Sequence, residues 1–127
     1  MAVARLNRRL RQERQSDLSP SQLSVLGAVF FEGPATPSTL AARERVSAPS
    51  VTRVINCLEE RGLVDRVPDP DDGRQVVVSI SQLGEKVLSE ERRRRDAWLA
   101  PRLRALDPSE RAVLRQAAAI MTRLAES

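Results

Sequence analysis

One segment of this chain, from Val46 to Gly84, constrains the fold more than any other, because it predicts a short amphipathic helix followed directly by a β-hairpin. In the helix, apolar side chains recur every three to four residues along one face. They are Val51, Val54, Ile55 and Leu58. Ser47 is placed to cap the start of this helix, and Gly62 can adopt the left-handed conformation that often ends one. The opposite face carries hydroxyls, one amide and one arginine, groups that hydrogen-bond to base edges and phosphates.

The hairpin is predicted from two β-prone runs, residues 63–67 and 74–80, which are joined by a turn rich in Pro, Asp and Gly. Arg74 lies where the second run leaves the turn, well placed to enter a narrow, electronegative minor groove. A salt bridge to one of the three acids of the turn is the alternative role, and both could hold together. A helix that fits a major groove, followed by such a hairpin, is typical of a winged helix-turn-helix.

Outside this segment the pattern is helical. Three capping residues are each followed by Pro, which predicts helix starts. These are Ser19-Pro20, Thr36-Pro37 and Asp107-Pro108. The first helix is expected over Met1–Gln15, and a long helix is expected from Ser81 until Pro101 stops or kinks it.

The first and last helices each carry an apolar stripe that a thin monomer could not cover. Burial of these stripes against each other and against their symmetry mates predicts a two-fold dimer, with a monomeric helical cap as the alternative. The predicted dimerisation residues are Val3, Leu6, Leu10, Val113, Leu114, Ala117, Ile120, Met121 and Leu124.

The predicted fold is therefore mainly α with a small β-hairpin wing, a winged helix-turn-helix with N- and C-terminal dimerisation helices. A chain of 127 residues is expected to form a single domain. Within it, residues 19–80 form the winged helix-turn-helix, 81–101 a connecting helix, and 1–18 and 102–127 the dimerisation helices.

The connecting helix is expected to bridge two lobes, because its middle has almost no apolar side chain. Two pairs in it have the spacing and order that support such a helix. They are Glu90–Arg94 and Glu91–Arg95. The run Arg92–Arg95 has three interpretations: contacts to phosphates, a cleft for an anionic effector, or a solvated face.

Composition excludes several classes of protein. There is no His and only one Cys, so neither a His-based catalytic triad nor a His/Cys cluster for a catalytic zinc can form. No enzymatic activity, metal site or cofactor is therefore expected. No apolar run is long enough to span a membrane, and a single Cys fits a reducing compartment, which predicts a cytoplasmic protein. The net charge of +4 says little about DNA, because residues 36–80 hold six Arg against seven acids.

Three stretches carry a resemblance to a known family: Leu58 to Val64, Asp72-Gly73-Arg74, and Ile80 to Gly84. They resemble the MarR-type transcriptional regulators, whose wing reads Asp-x-Arg, a few residues, then Leu-Thr-x-x-Gly. Ile80 and Ser81 stand here in place of that Leu and Thr, and the likeness extends over nearly the whole chain. The resemblance implies a homodimeric repressor or activator in the bacterial nucleoid that binds double-stranded DNA, and whose affinity a small-molecule effector or an oxidant can tune. A two-fold dimer of this kind would bind a pseudo-palindromic operator.

The predicted DNA contacts fall into three groups. The outward face of the recognition helix is assigned to the major groove, Arg74 to the minor groove, and Arg66, Gln75 and the start of the preceding helix to phosphates. Together the predicted residues are Thr36, Ser38, Ser47, Pro49, Ser50, Thr52, Arg53, Asn56, Arg66, Arg74 and Gln75. The alternatives are a winged helix used for protein–protein contact, which would favour exposed aromatics, Leu or Met on this face, and a non-specific architectural DNA-binding protein.

Two features bear on regulation. In the family that the chain resembles, the effector pocket lies between the DNA-binding lobe and the dimer helices and is often lined by aromatic residues. Phe30 and Phe31 are available for such a role, but they are equally explained as core residues of the second helix. Cys57 lies on the recognition helix, where its oxidation would disturb DNA contact, although helix packing is its default role.

Overall fold

The computed structural model describes residues 1–13 and 16–127, and within them the chain forms helices and one antiparallel hairpin. In chain order the elements are α1 (Ala2–Gln12), α2 (Pro20–Glu32), α3 (Pro37–Glu44), α4 (Ala48–Glu60), β1 (Val64–Pro68), β2 (Val76–Ile80), α5 (Gln82–Arg104) and α6 (Pro108–Glu126). The predicted class, a mainly α chain with a small β-hairpin, is confirmed. The chain divides into two compact units, here called the central unit (Gln15–Arg92) and the terminal unit (Met1–Arg14 with Arg93–Ser127).

Side-chain caps set the predicted helix starts. In α2, α3 and α4 a hydroxyl oxygen accepts a hydrogen bond from the backbone N–H three residues later, and Pro occupies the first turn. The capping residues are Ser19, Thr36 and Ser47. Asp107 caps α6 in the same way, and Glu110 completes a capping box there. All four predicted starts are confirmed.

The core of the central unit is built from α2, α3, α4 and one side of the hairpin. Its most deeply buried side chains are Leu26, Val29, Leu40, Val51, Ile55, Leu58, Val64 and Val78. Each such side chain stabilises the fold by about 1.5–3 kcal/mol relative to an exposed position. The apolar stripe predicted for α4 is confirmed, with Val54 half-buried at its margin. The other side of α4 therefore faces outward.

The hairpin is joined to the start of α3. β1 and β2 pair with Val64 opposite Ile80 and Pro68 opposite Val76. Ala35, which lies just before α3, adds one bridge to this sheet. The Val78 N–H donates to the Ala35 carbonyl at 2.8 Å, and the Ala35 N–H donates back at 3.1 Å. These two bonds hold the base of the wing beside the first turn of α3.

Two glycines are required where the chain leaves α4 and enters α5. Gly62 has a φ of 73°, a left-handed conformation that disfavours other residues, and it follows the last turn of α4 as predicted. Gly84 lies against the main chain, since a Cβ built there would be 2.1 Å from the Leu63 carbonyl oxygen. The Ser81 N–H donates to that same oxygen at 3.0 Å, so the start of α5 is packed directly on the end of the α4–β1 turn.

The predicted strand boundaries are displaced by one or two residues. β1 spans Val64–Pro68 rather than 63–67, and β2 begins at Val76 rather than Arg74. The later start has a physical reason: the Gln75 N–H donates to the Asp72 carbonyl at 3.0 Å, which keeps residues 74 and 75 in the turn. α1 ends at Gln12, and the part of the predicted first helix at residues 14 and 15 lies outside the described residues.

Pro101 was predicted to stop or kink α5, and a stop there is wrong, because the helix continues to Arg104. Pro101 cannot donate an N–H, yet the turn after it is closed by the Ala105 N–H, which donates to the Pro101 carbonyl at 3.1 Å. The Arg111 guanidinium of α6 donates to the Leu103 carbonyl at 3.3 Å and also to the Leu106 carbonyl. Carbonyls that a helix end leaves without partners are thus satisfied by an arginine.

The predicted Glu91–Arg95 pair in the middle of α5 is also wrong. Glu91 is only 3% exposed, and its Oε1 accepts a hydrogen bond from the Ser16 N–H at 3.0 Å. No ion pair joins Glu91 to Arg95 among the residues that the structure describes. The carboxylate instead holds the segment that precedes α2. α5 has 23 residues, and neither it nor any other helix in the described part of the chain is long and apolar enough to cross a membrane.

The apolar stripes of α1 and α6 are uncovered in the single chain. Among the described residues, neither helix has a buried side chain. The exposed members of the predicted dimerisation set are Val3, Leu6, Val113, Leu114, Ile120, Met121 and Leu124, and the half-buried ones are Leu10 and Ala117. These residues therefore do not face the interior of one chain, and their role in a dimer stays a prediction.

Candidate nucleic-acid interface

The outward side of α4 carries the residues assigned to the major groove. Thr52, Arg53 and Asn56 are exposed there, and Ser50 is half-buried. They share this side because the apolar stripe of the same helix faces the core. A helix of 13 residues with a polar outer side has the diameter that a major groove admits.

The start of α4 concentrates hydroxyl groups and one guanidinium. Ser47 Oγ accepts from the Ser50 N–H at 3.2 Å and donates to Ser50 Oγ at 2.8 Å. Arg53 Nη2 donates to Ser50 Oγ at 3.4 Å, and Pro49 is exposed beside them. This cluster lies at the positive end of the helix dipole, which favours a nearby anion such as a phosphate.

A second polar surface forms where the start of α3 meets the base of the wing. Thr36 Oγ1 accepts from the Thr39 N–H at 3.2 Å, and the Thr36 and Ser38 hydroxyl oxygens are 3.2 Å apart. A shallow cleft of ≈ 320 Å³ is lined by Thr36, Pro37, Ser38, Gln75 and Val76. Three predicted phosphate contacts from two separate elements are thus brought to one surface.

Arg74 extends from the wing tip. Its side chain is 95% exposed, and its Nε is 3.4 Å from Asp72 Oδ1. Its backbone N–H donates to the same oxygen at 3.1 Å. An ion pair this exposed contributes little stability, but it orients the base of the side chain. The alternative role considered for Arg74, a salt bridge to an acid of the turn, is therefore present, and its contact with a minor groove stays a prediction.

Arg66 differs from Arg53 and Arg74 because its guanidinium contacts side chains of another element, whereas theirs contact a neighbour in the same helix or turn. It lies on β1, where its Nε is 3.3 Å from Glu59 Oε2 and its Nη2 donates to Asn56 Oδ1. Two predicted DNA contacts, Asn56 and Arg66, are therefore hydrogen-bonded to each other. Glu59 was not singled out from the sequence, because no local pattern shows that a residue of α4 meets one of β1.

A further brace joins the end of α4 to the segment before α2. The Arg61 guanidinium is hydrogen-bonded to the Asp17 carboxylate, and this bond holds the pKa of Asp17 below its ordinary value. Gln22 Nε2 donates to Cys57 Sγ at 3.1 Å, so Cys57 packs between α4 and α2. Sequence reasoning did not identify the Asp17–Arg61 pair, whose members are 44 residues apart.

The interpretation of Phe30 and Phe31 as core residues is wrong. Both are exposed, Phe31 by 64%, and their rings meet edge to face at 5.1 Å. The Arg92 guanidinium lies over Phe31, 4.2 Å from the ring centroid, and 5.7 Å from that of Phe30. One member of the Arg92–Arg95 run is thus stacked on aromatic rings within the central unit rather than only solvated.

The sequence and the fold are similar to those of known proteins. A family model described as the MarR family matches residues 16–75. An HTH-type transcriptional regulator of Mycobacterium tuberculosis is 50% identical to this chain over 127 residues, which covers 99% of this chain and 89% of that protein. Since these similar proteins are transcriptional regulators, the expectation that the chain is not an enzyme is confirmed.

Solved structures share the fold. A MarR family protein from Bacillus stearothermophilus superposes with a TM-score of 0.87 at 23% identity, covering 99% of this chain and 89% of that one. Streptococcus pneumoniae FabT, solved in complex with DNA, has a TM-score of 0.80 at 22% identity, covering 98% of this chain and 92% of that one. With the winged helix-turn-helix confirmed and a close relative at 50% identity, the chain belongs to the MarR family of transcriptional regulators.

Proposed function

We propose that this protein is a homodimeric, sequence-specific DNA-binding repressor that acts at a pseudo-palindromic operator in the bacterial nucleoid. The observation that carries the proposal is the outer side of α4. Thr52, Arg53 and Asn56 are exposed there on a helix whose other side is buried, and such side chains hydrogen-bond to base edges in the major groove. FabT, which has the same fold, was solved in complex with DNA, and this supports duplex DNA as the partner.

Phosphate contacts would set the register of this helix on the duplex. The cleft formed by Thr36, Ser38 and Gln75 offers hydroxyl and amide donors beside the N-terminus of α3. Arg74, exposed at the wing tip, has the charge and reach to enter an adjacent minor groove. The net charge of +4 is weak evidence for DNA binding, so the proposal depends on the positions of these few groups.

The uncovered stripes of α1 and α6 support the homodimer. Their apolar residues are exposed in one chain, from 43% at Leu114 to 70% at Leu124, and contiguous exposed apolar surface usually marks an interface. Two copies related by a two-fold axis would present two recognition helices to the two halves of a palindrome.

Control by a small molecule is part of the proposal. Phe30, Phe31 and Arg92 place two exposed aromatic rings beside a cation. This chemistry suits a small aromatic anion, which could stack on a ring and pair with the guanidinium. A compound of this class would be expected to weaken DNA binding.

The test is fluorescence anisotropy with labelled duplexes tiled across the gene's own upstream region, at several salt concentrations. The wild type should bind one tile in a saturable, salt-sensitive manner. Arg74→Ala should weaken that binding. Arg43→Ala is the matched control: it removes the same charge from the central unit, but from a guanidinium that lies 3.0 Å from Glu32 and outside the proposed surface.

Equal binding to every tile would contradict a sequence-specific regulator and indicate an architectural DNA-binding protein. Absence of binding even at low salt would contradict DNA binding altogether and favour a protein-interaction module. Equal losses in the two variants would show that Arg74 acts only through bulk charge.

A further inference from the structure

Arg66 makes a contact pattern that no other arginine of the proposed DNA surface makes. From β1 it reaches two residues of α4: Glu59 Oε2 lies 3.3 Å from its Nε, and Asn56 Oδ1 accepts from its Nη2. Asn56 and Glu59 are three positions apart and therefore on the same side of the helix. Arg53, one turn earlier, makes only a 3.4 Å hydrogen bond to Ser50.

The contact with Arg66 determines how the Asn56 amide is turned. A guanidinium has hydrogen-bond donors and no acceptor, so the amide atom facing it must be the oxygen. The contact thus distinguishes the amide oxygen from the nitrogen, two atoms that are otherwise easily confused. Among the residues that the structure describes, the Asn56 Nδ2 group has no hydrogen-bond partner, and the residue is exposed. Arg66 therefore holds the Asn56 amide in one orientation, with Nδ2 available as a donor and one lone pair of Oδ1 occupied.

We infer that Arg66 is a positioning residue that sets base preference through Asn56, rather than a phosphate ligand. This inference rests on the proposed function, since it concerns how the same surface selects its sequence. An Asn recognises adenine with both amide atoms: its oxygen accepts from N6 and its nitrogen donates to N7. One lone pair of Oδ1 is held by Arg66 and the other stays available. Arg66 therefore fixes the direction in which Asn56 presents its amide, and a fixed amide discriminates between bases better than one that can rotate. Glu59 contributes by keeping the guanidinium on the helix and by neutralising its charge.

The experiment begins with selection of bound duplexes from a randomised library by the wild type. The base contacted by residue 56 is then the position at which Asn56→Ala loses its preference. Anisotropy with the four possible base pairs at that position is compared for the wild type, Arg66→Ala and Arg66→Lys. The wild type should favour one base pair there. Arg66→Ala lets the amide rotate, so the preference for that base pair over the other three should fall roughly fivefold or more, the discrimination expected of a bidentate contact.

Two further variants separate positioning from other effects. Arg66→Lys keeps the charge but lacks the fork that contacts Glu59 and Asn56 together, so it should shift the preference in the same direction. In an Asn56→Ala background, Arg66→Ala should change nothing more at that base, because the two residues act through one contact. Arg43→Ala serves as the control and should keep the wild-type preference, and urea midpoints report whether each variant folds.

Three results would overturn the inference while leaving the proposed function intact. The first is a uniform loss of affinity for all sequences in Arg66→Ala, with the slope of log K against log salt reduced by about 0.9, the signature of one lost phosphate contact. The second is an unchanged base preference in both Arg66 variants. The third is an equal loss of that base preference in Arg43→Ala. Failure of the wild type to bind any duplex would instead overturn the proposed function itself.

Discussion

The central unit buries most of its large apolar side chains, whereas helices α1 and α6 of the terminal unit leave most of theirs exposed. In the central unit, α2, α3, α4 and the hairpin bury eight large side chains almost completely, among them Leu26, Ile55 and Leu58. In the terminal unit, α1 and α6 bury none of their residues within the described chain, although α6 has 19 residues and a regular apolar stripe. One unit has its own interior, whereas the apolar stripes of α1 and α6 in the other are exposed in the single chain.

From this difference we expect that the terminal unit, rather than the central unit, depends on a second copy of the chain. Burial of apolar surface is the main favourable term in folding, and a helix with an unburied stripe does not obtain it from its own chain. Stability of the central unit should therefore be insensitive to protein concentration. Stability of α1 and α6 should depend on it, as expected for an obligate interface.

The largest expected effect is on the central core. Leu58→Ala should lower the free energy of unfolding by about 2–5 kcal/mol, because it leaves a cavity at a fully buried position. Leu124→Ala, at a residue that is 70% exposed, should change it by less than about 0.5 kcal/mol when the chain is dilute. Urea denaturation at low protein concentration measures both. Equal losses of unfolding free energy in the two variants would show that the units do not differ in how they bury apolar side chains.

The next effect concerns assembly. Leu114→Ala should weaken the dimer at least about tenfold, since each buried CH₂ removed costs about 0.8 kcal/mol and both copies lose the side chain. Gln116→Ala, an exposed residue on the same helix but outside the stripe, is the control and should leave the dimer unchanged. Sedimentation equilibrium reports the dissociation constants. A monomeric wild type would contradict the assignment of this surface.

A smaller effect is expected at the DNA surface. Arg53→Ala should cost about 1–3 kcal/mol of binding to the selected operator and relax preference at one base, because a side chain on the outer side of α4 would contact base edges. Arg123→Ala, on α6 of the terminal unit, removes the same charge and should leave base preference unchanged. Anisotropy with single-base operator variants distinguishes them. A relaxed base preference in Arg123→Ala would mean that the surface contacting the bases is not the outer side of α4.

The smallest expected effect is the pH dependence of the Asp17–Arg61 brace. The pKa of Asp17 lies below its ordinary value of 3.8, because the Arg61 guanidinium is hydrogen-bonded to the carboxylate. The contribution of this pair is therefore fully present above pH 3.8 and is lost as the pH falls through the lowered pKa. The wild type should have a slightly higher urea midpoint than Asp17→Asn at pH 7, and the two midpoints should converge in acid.

Asp65→Asn is the control for that comparison. Asp65 is an exposed carboxylate of β1 and forms no ion pair with any residue that the structure describes. Its substitution should leave the midpoint unchanged at both pH values. A difference between wild type and Asp17→Asn that persisted below the lowered pKa would mean that the carboxylate charge is not what stabilises the brace.

Local sequence patterns were sufficient for the elements and their starts. Ser19, Thr36, Ser47 and Asp107 were identified as caps because a cap depends on one side chain and a backbone N–H three residues away. The stripe of α4 and the end at Gly62 were likewise readable, since helical period and left-handed backbone are local properties. The outward side of α4 followed directly, because burial of one side exposes the other.

Contacts between distant parts of the chain were not readable in this way. Phe31 was left open between an effector pocket and the core of the second helix, and it is exposed and stacked against Arg92. Glu91 was assigned to a partner one turn away, but its carboxylate holds Ser16, which is 75 residues away. Pro101 was expected to stop or kink α5, but the helix continues to Arg104, and Arg111 of the next helix donates to the Leu103 carbonyl near that end.

The sequence by itself determined the fold class, the family and the polar side of α4, because caps, periodicity and turn chemistry act over a few residues. Only the tertiary structure decided which of those polar side chains are free. In the folded chain Arg74 is exposed, Arg66 is bonded to Asn56 and Glu59, and Thr36 lines the same cleft as Gln75. The physical reason is that a hydrogen bond or ion pair depends on distance in space, and packing of the hairpin against α3 and α4 sets that distance.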